Sequence, residues 1–532
     1  MSPNPIIIVG AGPCGLLTAL LLGRYGISTI VVERRSVLLD HPRAMGVSRR
    51  TAEIYRSLGL LNRMMEPEHS RGPVSDLSVW CRGLNGRSFG RTPLTPPVPE
   101  ITPCGVFSCP QPHTERVLEE AALATGAVQL RRGHNVNAVY EQGGGVMVRG
   151  WDETKQCEWS LDAPYVIAAD GAGSTVRHAL GVDTDGPGDL GHFINTFFSA
   201  PIAERLPSPP AMLSQSVCGG HFGVFVAVDG RTEWLMHRFL MPGENADDYS
   251  TERMSKIIGE CAGLPDLPVR IHSMDRWVMS PKLARRFRQG RIFFTGDAAA
   301  RLSPAGGLGL NTGLQSAHNL AWKLAIVLRG DASEALLDTY HDERFPVAAS
   351  TLQNSLINNS EAHAIVTAAF EERWEDAAKL AETSHRGGSH LGLDLGYHYS
   401  SNGILGEPQR WPELADPVND YIPSGRPGGR APHCWLDRSE SHSTLDEMSR
   451  GFVLLTGGTS TFWANQCAMA ATHFSTPDSL LHLMATPETG ATDLYGIGTK
   501  GAALIRPDGF VAWRSPKEEG DLSSALLKLL GR

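Results

Sequence analysis

Arg291 to Lys323 reads RIFFTGDAAARLSPAGGLGLNTGLQSAHNLAWK. Ile292, Phe293 and Phe294 form an apolar run of β type that reaches Gly296-Asp297, and a Gly/Pro-rich turn leads from there into a long apolar helix expected to start near Asn311. A strand that ends in a glycine turn opening a helix gathers free backbone N–H groups and the positive end of a helix dipole at one point. Such a point suits an anionic or strongly hydrogen-bonding ligand. Two other stretches have the same character: Gly10-Ala11-Gly12-Pro13-Cys14-Gly15, and Ala168 to Arg177, which reads AADGAGSTVR. Three distant segments are therefore expected to converge on one large ligand, most economically a dinucleotide.

The N-terminal segment has the full context of such a site. Ile6 to Val9 is a short apolar strand of the buried parallel type, the glycine turn follows, and Leu16 to Leu21 continue as a hydrophobic helix closing at Gly26. A second strand, Thr29 to Val32, ends at Glu33. This is the order of a βαβ dinucleotide fold, in which the glycines permit a tight turn and close approach of a pyrophosphate while the acid accepts hydrogen bonds from a ribose. Arg34, Arg35, His41 and Arg43 follow at once, either as a solvated basic loop or with Arg43 over the bound cofactor or the phosphates of a second nucleotide.

Length and composition bound the rest. At 532 residues, with domains averaging roughly 150 residues, about three are expected. The chain is 41% hydrophobic and 20% charged, ordinary for a globular protein, and its formal charge of −9 comes without any Lys/Arg block. Nucleic acid is thereby a poor partner. Nine scattered cysteines, none spaced as CxxC, fit neither a disulfide framework nor a zinc site and suit a reducing compartment. Ile6 to Leu22 could imitate a signal-peptide core, but it lacks a basic leader and is broken by Gly10, Gly12, Pro13 and Gly15. With no apolar run of about 18 residues elsewhere, no membrane span and a cytoplasmic location are expected.

Along the chain, Ser48 to Leu60 reads as an amphipathic helix. Residues 72 to 103 read as loop with one strand-like piece at Leu77 to Trp80. Gln111 opens a helix running to Thr125, its amide either facing a ligand or capping the helix. Val136 to Tyr140, Val146 to Trp151 and Glu158 to Leu161 alternate as antiparallel strands. Tyr165 to Ala169 is another buried strand, ending in Asp170-Gly171, where the acid caps the next turn or meets the ligand. From about 180 to 272 the texture is β-rich, with Phe193 to Phe198, Phe222 to Val228 and Trp234 to Leu240 separated by hairpin turns. A sheet inserted over a cofactor makes a natural pocket wall. Helices are expected through Leu328, at Ala335 to Tyr340 and from about 346 to 382. A Gly/Pro-rich connector follows, then a small α/β unit with strands Phe452 to Leu455, Ala503 to Ile505 and Phe510 to Trp513.

These motifs together resemble the single-component, class A flavoprotein aromatic hydroxylases, the para-hydroxybenzoate hydroxylase-like family. GAGPCG with Glu33 is similar to that family's adenosine-diphosphate fingerprint, Asp170-Gly171 through Arg177 to its DG motif, and Gly296-Asp297 through Asn311 to its GD motif. Pro427-Gly428-Gly429-Arg430-Ala431-Pro432, with RPDGFVAWR at 506 to 514, resembles the phenol and polyketide hydroxylase branch. The resemblance implies an α/β fold class: a Rossmann-like, GR2-type FAD-binding domain (1–72, 99–179 and 273–390), an inserted, mainly antiparallel substrate sheet (73–98 and 180–272), a linker (391–425) and a thioredoxin-like C-terminal domain (426–532). Cys434 and Cys467 have no redox spacing, so that last domain is expected to have a packing or oligomer role, in a monomer or homodimer.

Carried onto this chain, the resemblance implies that Gly10, Gly12, Pro13, Gly15, Glu33 and Arg34 hold the adenosine half of FAD, with Val136 also in the cofactor set. Asp297 would meet the ribityl or pyrophosphate, and Pro304, Gly307, Gly309, Leu310 and Asn311 would surround the isoalloxazine. Arg43, Gln111 and Asp170 would lie near FAD or the transient nicotinamide. Two positions depart from the family: Ala300-Arg301 stand where a His is common after GDAA, and Met45 stands where phenol hydroxylases tend to carry an acid, which disfavours simple phenol. The implied chemistry is reduction of FAD by NAD(P)H, with NADPH favoured by the nearby arginines. A flavin C4a-hydroperoxide formed with O2 would then transfer oxygen to a phenolic or polycyclic aromatic substrate. Candidate catalytic groups are Arg43, Pro304, His221 and His237, and candidate pocket residues are Met45, His221, Phe222, Trp234, Met236 and Arg238. The alternatives are Baeyer–Villiger insertion on a related polycyclic ketone, a flavin dehydrogenase, a halogenase and a flavin-binding carrier. None of the eleven tryptophans has the WxWxIP spacing of the halogenases, and the intact Gly309-Leu310-Asn311 segment argues against the carrier.

Overall fold

A computed structural model describes residues 4–241, 243–384, 390–407, 411–449, 451–475, 480–485 and 490–532. Its organising element is a six-stranded sheet. The β-branched run Ile6–Val9 pairs in parallel with Thr29–Glu33 on one side and Val166–Ala168 on the other. Ile292–Phe294 extends the sheet beyond Val166–Ala168, and Val128–Arg132 extends it beyond Thr29–Glu33, both in parallel. The short Arg288–Gln289 closes one edge in the antiparallel sense. Continuous apolar strands of this kind require cover on both faces. Helices Pro13–Arg24, Gln111–Ala124 and Leu308–Leu328 supply it in part, and the buried cluster they share includes Leu17, Leu21, Leu118, Leu320 and Leu324.

The C-terminal ends of four neighbouring strands therefore lie side by side. Val9 leads to Gly10, Ala168 to Ala169-Asp170, Phe294 to Thr295-Gly296-Asp297, and Val32 to Glu33. In open α/β sheets this edge is where ligands bind. The three glycine-rich segments meet as the sequence implied, and Cys14 shows how closely. A Cβ on Gly313 would stand 2.6 Å from Cys14 Sγ and 3.0 Å from the Gly296 Cα, so the two helices and the Gly296 turn touch through glycines.

His134–Gln142, Gly145–Asp152 and Cys157–Ala163 form an antiparallel meander. A seven-stranded sheet then takes the order Arg270–Met279, Gly191–Ser199, Glu233–Phe239, His221–Ala227, Leu213–Cys218, Ser78–Cys81, Ser88–Thr92. Only the Leu213–Cys218 and Ser78–Cys81 pairing is parallel. The segment from 72 to 103 thus holds two strands, where its Gly/Pro content suggested one strand-like piece. Helix Thr251–Ala262, capped by Ser250 and closed by Gly263 at φ +72°, was not legible in the β-rich texture, and it packs on one face of this sheet against Phe198, Phe225, Trp234 and Met236.

Residues 391 to 432 form more than a connector. Helix Leu391–Leu395 sets Asp394 into the interior, where it accepts hydrogen bonds from Ser48 Oγ at 2.7 Å and the Arg50 N–H at 3.1 Å. The C-terminal unit is a four-stranded mixed sheet, Leu481–Ala485, Phe452–Thr456, Ala502–Ile505, Val511–Ser515, in which only the first pair is parallel. With helices Thr461–Ala471 and Leu522–Leu529 this is a thioredoxin-like arrangement. All nine cysteines are free thiols, and burial pushes the Cys434 thiol up to about 11. Among the described residues no helix is long and apolar enough to cross a membrane.

Candidate active site

The cradle at the strand ends is built from backbone. Gly10 adopts φ +103°, and a Cβ there would lie 2.4 Å from the Ala169 carbonyl oxygen; on Gly15 it would lie 2.0 Å from the Gly10 oxygen. Only glycine allows the turn. Gly12 and Gly309, by contrast, have nothing within 4 Å of a built Cβ, so open space lies before them. Pro13 occupies the first turn of helix Pro13–Arg24, where its missing N–H costs nothing.

Glu33 receives the Ala11 N–H on Oε2 at 2.8 Å and the Arg35 N–H on Oε1 at 2.9 Å, which ties the second strand to the glycine turn. A carboxylate has about four acceptor positions, so capacity for ribose hydroxyls is left. Arg34 beside it is exposed. Asp170 accepts from the Val176 N–H at 3.1 Å, while its Oδ1 is buried with no partner among the described residues, and burial raises its carboxyl. Asp297 is reached by solvent yet hemmed by protein; the crowding raises its carboxyl, and Arg301 and Arg43 pull it down. Val136 is buried, beside a register shift in the meander strand.

The helix expected to start near Asn311 begins earlier, at Leu308, with Gly307 at φ +66° as its N-cap. Its first N–H groups thus open toward Pro304, which is exposed and whose carbonyl accepts the Gly307 N–H at 3.0 Å. Leu310 packs against the main core. Asn311 lies one turn in and is buried. Its Oδ1 accepts the Ser48 N–H at 2.9 Å, and its Nδ2 donates to the Gly46 carbonyl at 3.0 Å and the Gly307 carbonyl at 2.9 Å. Asn311 is a clamp between two loops. Gln111 does not cap its helix; its Nε2 donates to Glu115 Oε1 at 2.7 Å.

The loop after Glu33 carries the seven-stranded sheet. His41 Nδ1 lies 2.7 Å from Ser273 Oγ, Arg43 Nη2 donates to Asp275 Oδ2 at 3.1 Å, and Met45 packs on Val226 and Leu235. The face they touch also presents, by alternation, Phe193, Asn195, Phe197, His237 and Trp277. Four of the pocket candidates do not come together there. Trp234 and Met236 are buried in the core against helix Thr251–Ala262, Arg238 pairs with Glu244, and His221 Nε2 lies 3.1 Å from Glu260 Oε2 of that helix. The most apolar residues of the strands serve the sheet's own core, and the cleft-facing row is the less apolar one. Phe222 shares the cleft-facing side but sits at its edge, stacked on Trp80 with centroids 6.2 Å apart and packed near Ala368 and Ala369. His237 remains on the cleft-facing row, its Nδ1 2.7 Å from Asn195 Oδ1. Asn195 and Trp277 carry no motif, and only strand pairing shows that they share a face with it, while His41 reaches that face from its loop through Ser273.

An FAD fits this arrangement. Two glycines face open space, the buried Asp170 Oδ1 has no donor among the described residues, and helices Pro13–Arg24 and Leu308–Leu328 touch near their N-terminal turns through Cys14 and Gly313.

Residues 4–355 match the model of the FAD binding domain family, and residues 424–532 match that of the aromatic-ring hydroxylase C-terminal domain. Tetracenomycin A2 monooxygenase-dioxygenase of Streptomyces glaucescens is 33% identical over 99% of this chain and 97% of its own. Aklavinone 12-hydroxylase of Streptomyces purpurascens is 31% identical over 99% and 98%. Among solved structures, the flavin-dependent monooxygenase PieE in complex with FAD and substrate aligns over 99% of both chains with a TM-score of 0.91 and 29% identity. Aklavinone-11 hydroxylase with FAD and aklavinone aligns over 99% of both with a TM-score of 0.86. With the cradle, the sheet laid over it and the C-terminal unit all matched, this chain belongs to the FAD-dependent aromatic-ring hydroxylases and is a flavoprotein monooxygenase.

Proposed function

We propose that the protein hydroxylates a phenolic, polycyclic, polyketide-like small molecule held between the Pro304–Asn311 segment and the cleft-facing side of the seven-stranded sheet. NADPH is the reductant and O2 the co-substrate. The observation that carries this reading is the composition of that side, where the aromatic groups Phe193, Phe197 and Trp277 alternate with the hydrogen-bonding groups Asn195 and His237. Flat apolar walls with a few placed polar groups are what a hydroxylated ring system requires. In this reading segments 1–72, 99–179 and 273–390 hold the cofactor, 73–98 and 180–272 wall the substrate, 391–425 links, and 426–532 packs against the rest.

Bound FAD supplies reduction by a nicotinamide and the activation of O2. The chain's own groups do the remainder. Gly10, Gly12, Gly15 and Glu33 would hold the adenosine half, while Asp170 and Asp297 would accept hydrogen bonds from ribityl hydroxyls. The N–H groups at Leu308 to Leu310 favour negative charge on the ring system. Met45, Leu235 and Phe197 exclude water from the space beside it.

The test is NADPH oxidation by the FAD-loaded protein under air with hydroxylated naphthoquinones, anthraquinones and their ketone analogues, with peroxide quantified alongside. The reading requires one compound to accelerate oxidation and gain one oxygen atom with little peroxide. A product with an expanded ring identifies Baeyer–Villiger insertion, and oxidation that ends wholly as peroxide with every compound refutes the reading.

A further inference from the structure

His237, Asn195 and Trp277 form a relay whose hydrogens the geometry fixes. Trp277 Nε1 lies 2.7 Å from Asn195 Oδ1, and an indole N–H can only donate. The atom of Asn195 facing it must therefore be the amide oxygen, which settles the orientation of that amide. His237 Nδ1 lies 2.7 Å from the same Oδ1, so the imidazole must donate through Nδ1–H. A neutral imidazole carries one such proton, which leaves Nε2 a bare acceptor on the cleft-facing side of the sheet.

Neighbouring features hold this state. Trp277 is stacked on Phe193 with centroids 4.6 Å apart and planes at 15°. Asn195 is buried, and the two acceptor positions of its oxygen are filled by the Trp277 Nε1–H and the His237 Nδ1–H. Burial lowers His237 to about 4, and the approach of His41 adds to the effect, so the ring is neutral at physiological pH. The titratable and charged groups on or facing this row are His41, Arg43 and Asp275, the last two paired with each other, and, at its far end beyond Phe197, Glu233 paired with His272. His41 Nε2 is itself buried with no partner among the described residues, so a second imidazole lies beside this row.

We propose that His237 Nε2 accepts the hydroxyl proton of a phenolic substrate, with Asn195 and Trp277 as positioning residues that keep its lone pair free. The assignment rests on the hydroxylase reading above. One atom of O2 forms the new C–O bond to a ring carbon as its O–O bond breaks, and the O–O electron pair leaves on the other atom, which departs as water with electrons supplied by NADPH. In the same step the phenolic O–H bond breaks. Its electron pair becomes the C=O π bond of the ring, and the proton moves to Nε2. The tetrahedral carbon then loses its own hydrogen as a proton, the ring becomes aromatic again, and the carbonyl oxygen regains a proton from the imidazolium. A weakly basic imidazole leaves the bound phenol protonated until the ring loses electron density, so the proton departs only when the C–O bond forms.

Two readouts independent of turnover test this. The first is long-range ¹H–¹⁵N correlation on FAD-loaded protein labelled with ¹⁵N-histidine, in which His237 is expected as the Nδ1–H tautomer at pH 7; an Nε2–H tautomer overturns the assignment. The second is flavin absorbance titration, without reductant, with 2,6-dihydroxyanthraquinone, whose hydroxyls are free to donate, and its dimethyl ether. The wild type is expected to prefer the hydroxyl compound about tenfold or more, His237→Leu to lose that preference, and Trp277→Phe to weaken it. His221→Leu, altered on the opposite face, is expected to keep it. An unchanged preference in His237→Leu overturns the proposal even if the protein hydroxylates aromatics. If neither compound binds the wild type, the substrate reading fails separately, and the tautomer alone decides whether His237 is an acceptor.

Discussion

Arg506 and Glu343 form a two-point ion pair, Nη1 to Oε1 at 2.6 Å and Nη2 to Oε2 at 2.7 Å, with both side chains cut off from solvent. Arg506 belongs to the Arg506-Pro507-Asp508-Gly509 turn of the C-terminal unit, Glu343 to helix Thr339–Phe370. Asp508 Oδ2 accepts from Asn319 Nδ2 at 2.9 Å, and Lys323 Nζ donates to Glu343 Oε2 at 2.7 Å. Both Asn319 and Lys323 lie on Leu308–Leu328, the helix whose N-terminus opens on the cleft. The C-terminal unit is thus keyed into the cofactor-binding unit by a buried network of ion pairs and hydrogen bonds, to which Ser401 Oγ also donates at Glu343 Oε1.

Arg506→Met is therefore expected to destabilise strongly, because it removes one of the two cations, Arg506 and Lys323, that face the buried carboxylates Glu343 and Asp508. Breaking one side of such a network costs about 3–5 kcal/mol. The exposed pair Arg373–Glu371 supplies the contrast, and Arg373→Met is expected to cost less than about 1 kcal/mol. Urea unfolding of the two variants beside wild type decides it. Equal losses would show that the buried network contributes no more than a surface pair.

The glycines of the first turn should separate folding from cofactor binding. A methyl group on Gly15 would sit 2.0 Å from the Gly10 carbonyl oxygen, so Gly15→Ala must push the helix away from the strand end and is expected to yield little folded protein. Gly12 faces open space. Gly12→Val is expected to fold with a near wild-type melt and to lose FAD affinity about tenfold or more, ~1.4 kcal/mol, because its side chain occupies the pyrophosphate's approach. Flavin fluorescence on dilution, read beside circular dichroism, distinguishes the two. Full flavin retention by a folded Gly12→Val protein would remove this turn from the cofactor site.

What could be read from sequence follows from range. The βαβ turn at Gly10 to Gly15, the acid at Glu33 and the glycine-rich entry to helix Leu308–Leu328 are local patterns, and local geometry dictated them. The start of that helix was misjudged by one turn, because Gly307 at positive φ caps it with no side-chain signal. Which face of the inserted sheet meets the cleft was beyond local reading. Strand alternation divides Leu235 and His237 from Trp234 and Met236, and apolarity pointed to the latter pair. Helix Thr251–Ala262, hidden in a β-rich stretch, takes that pair for its own core and leaves the other face for the cleft. Asp394 was invisible for the same reason: its three partners, Ser48, Arg50 and Gln315, lie 346, 344 and 79 residues away.

Buried neutral histidines give the fold a predictable acid sensitivity. His318 Nε2 lies 2.9 Å from Ser449 Oγ and His433 Nδ1 lies 2.7 Å from Ser443 Oγ. Burial lowers His318 to about 3 and His433 to about 4. An unfolded imidazole titrates near 6.5. Between these values the unfolded chain binds protons that the folded chain refuses, so the stability these groups contribute is present above about pH 6.5 and is lost as pH falls toward 4. From pH 7.0 to 5.5 each should lose about 1.2 kcal/mol. Asp394, whose carboxyl burial raises, acts in the opposite sense, so the net slope of the whole protein is not the diagnostic. The difference between wild type and His318→Gln is. Urea midpoints at the two pH values should show the variant losing about 1.2 kcal/mol less than wild type on acidification, and equal losses would mean that His318 takes up its proton in the folded state as readily as in the unfolded one.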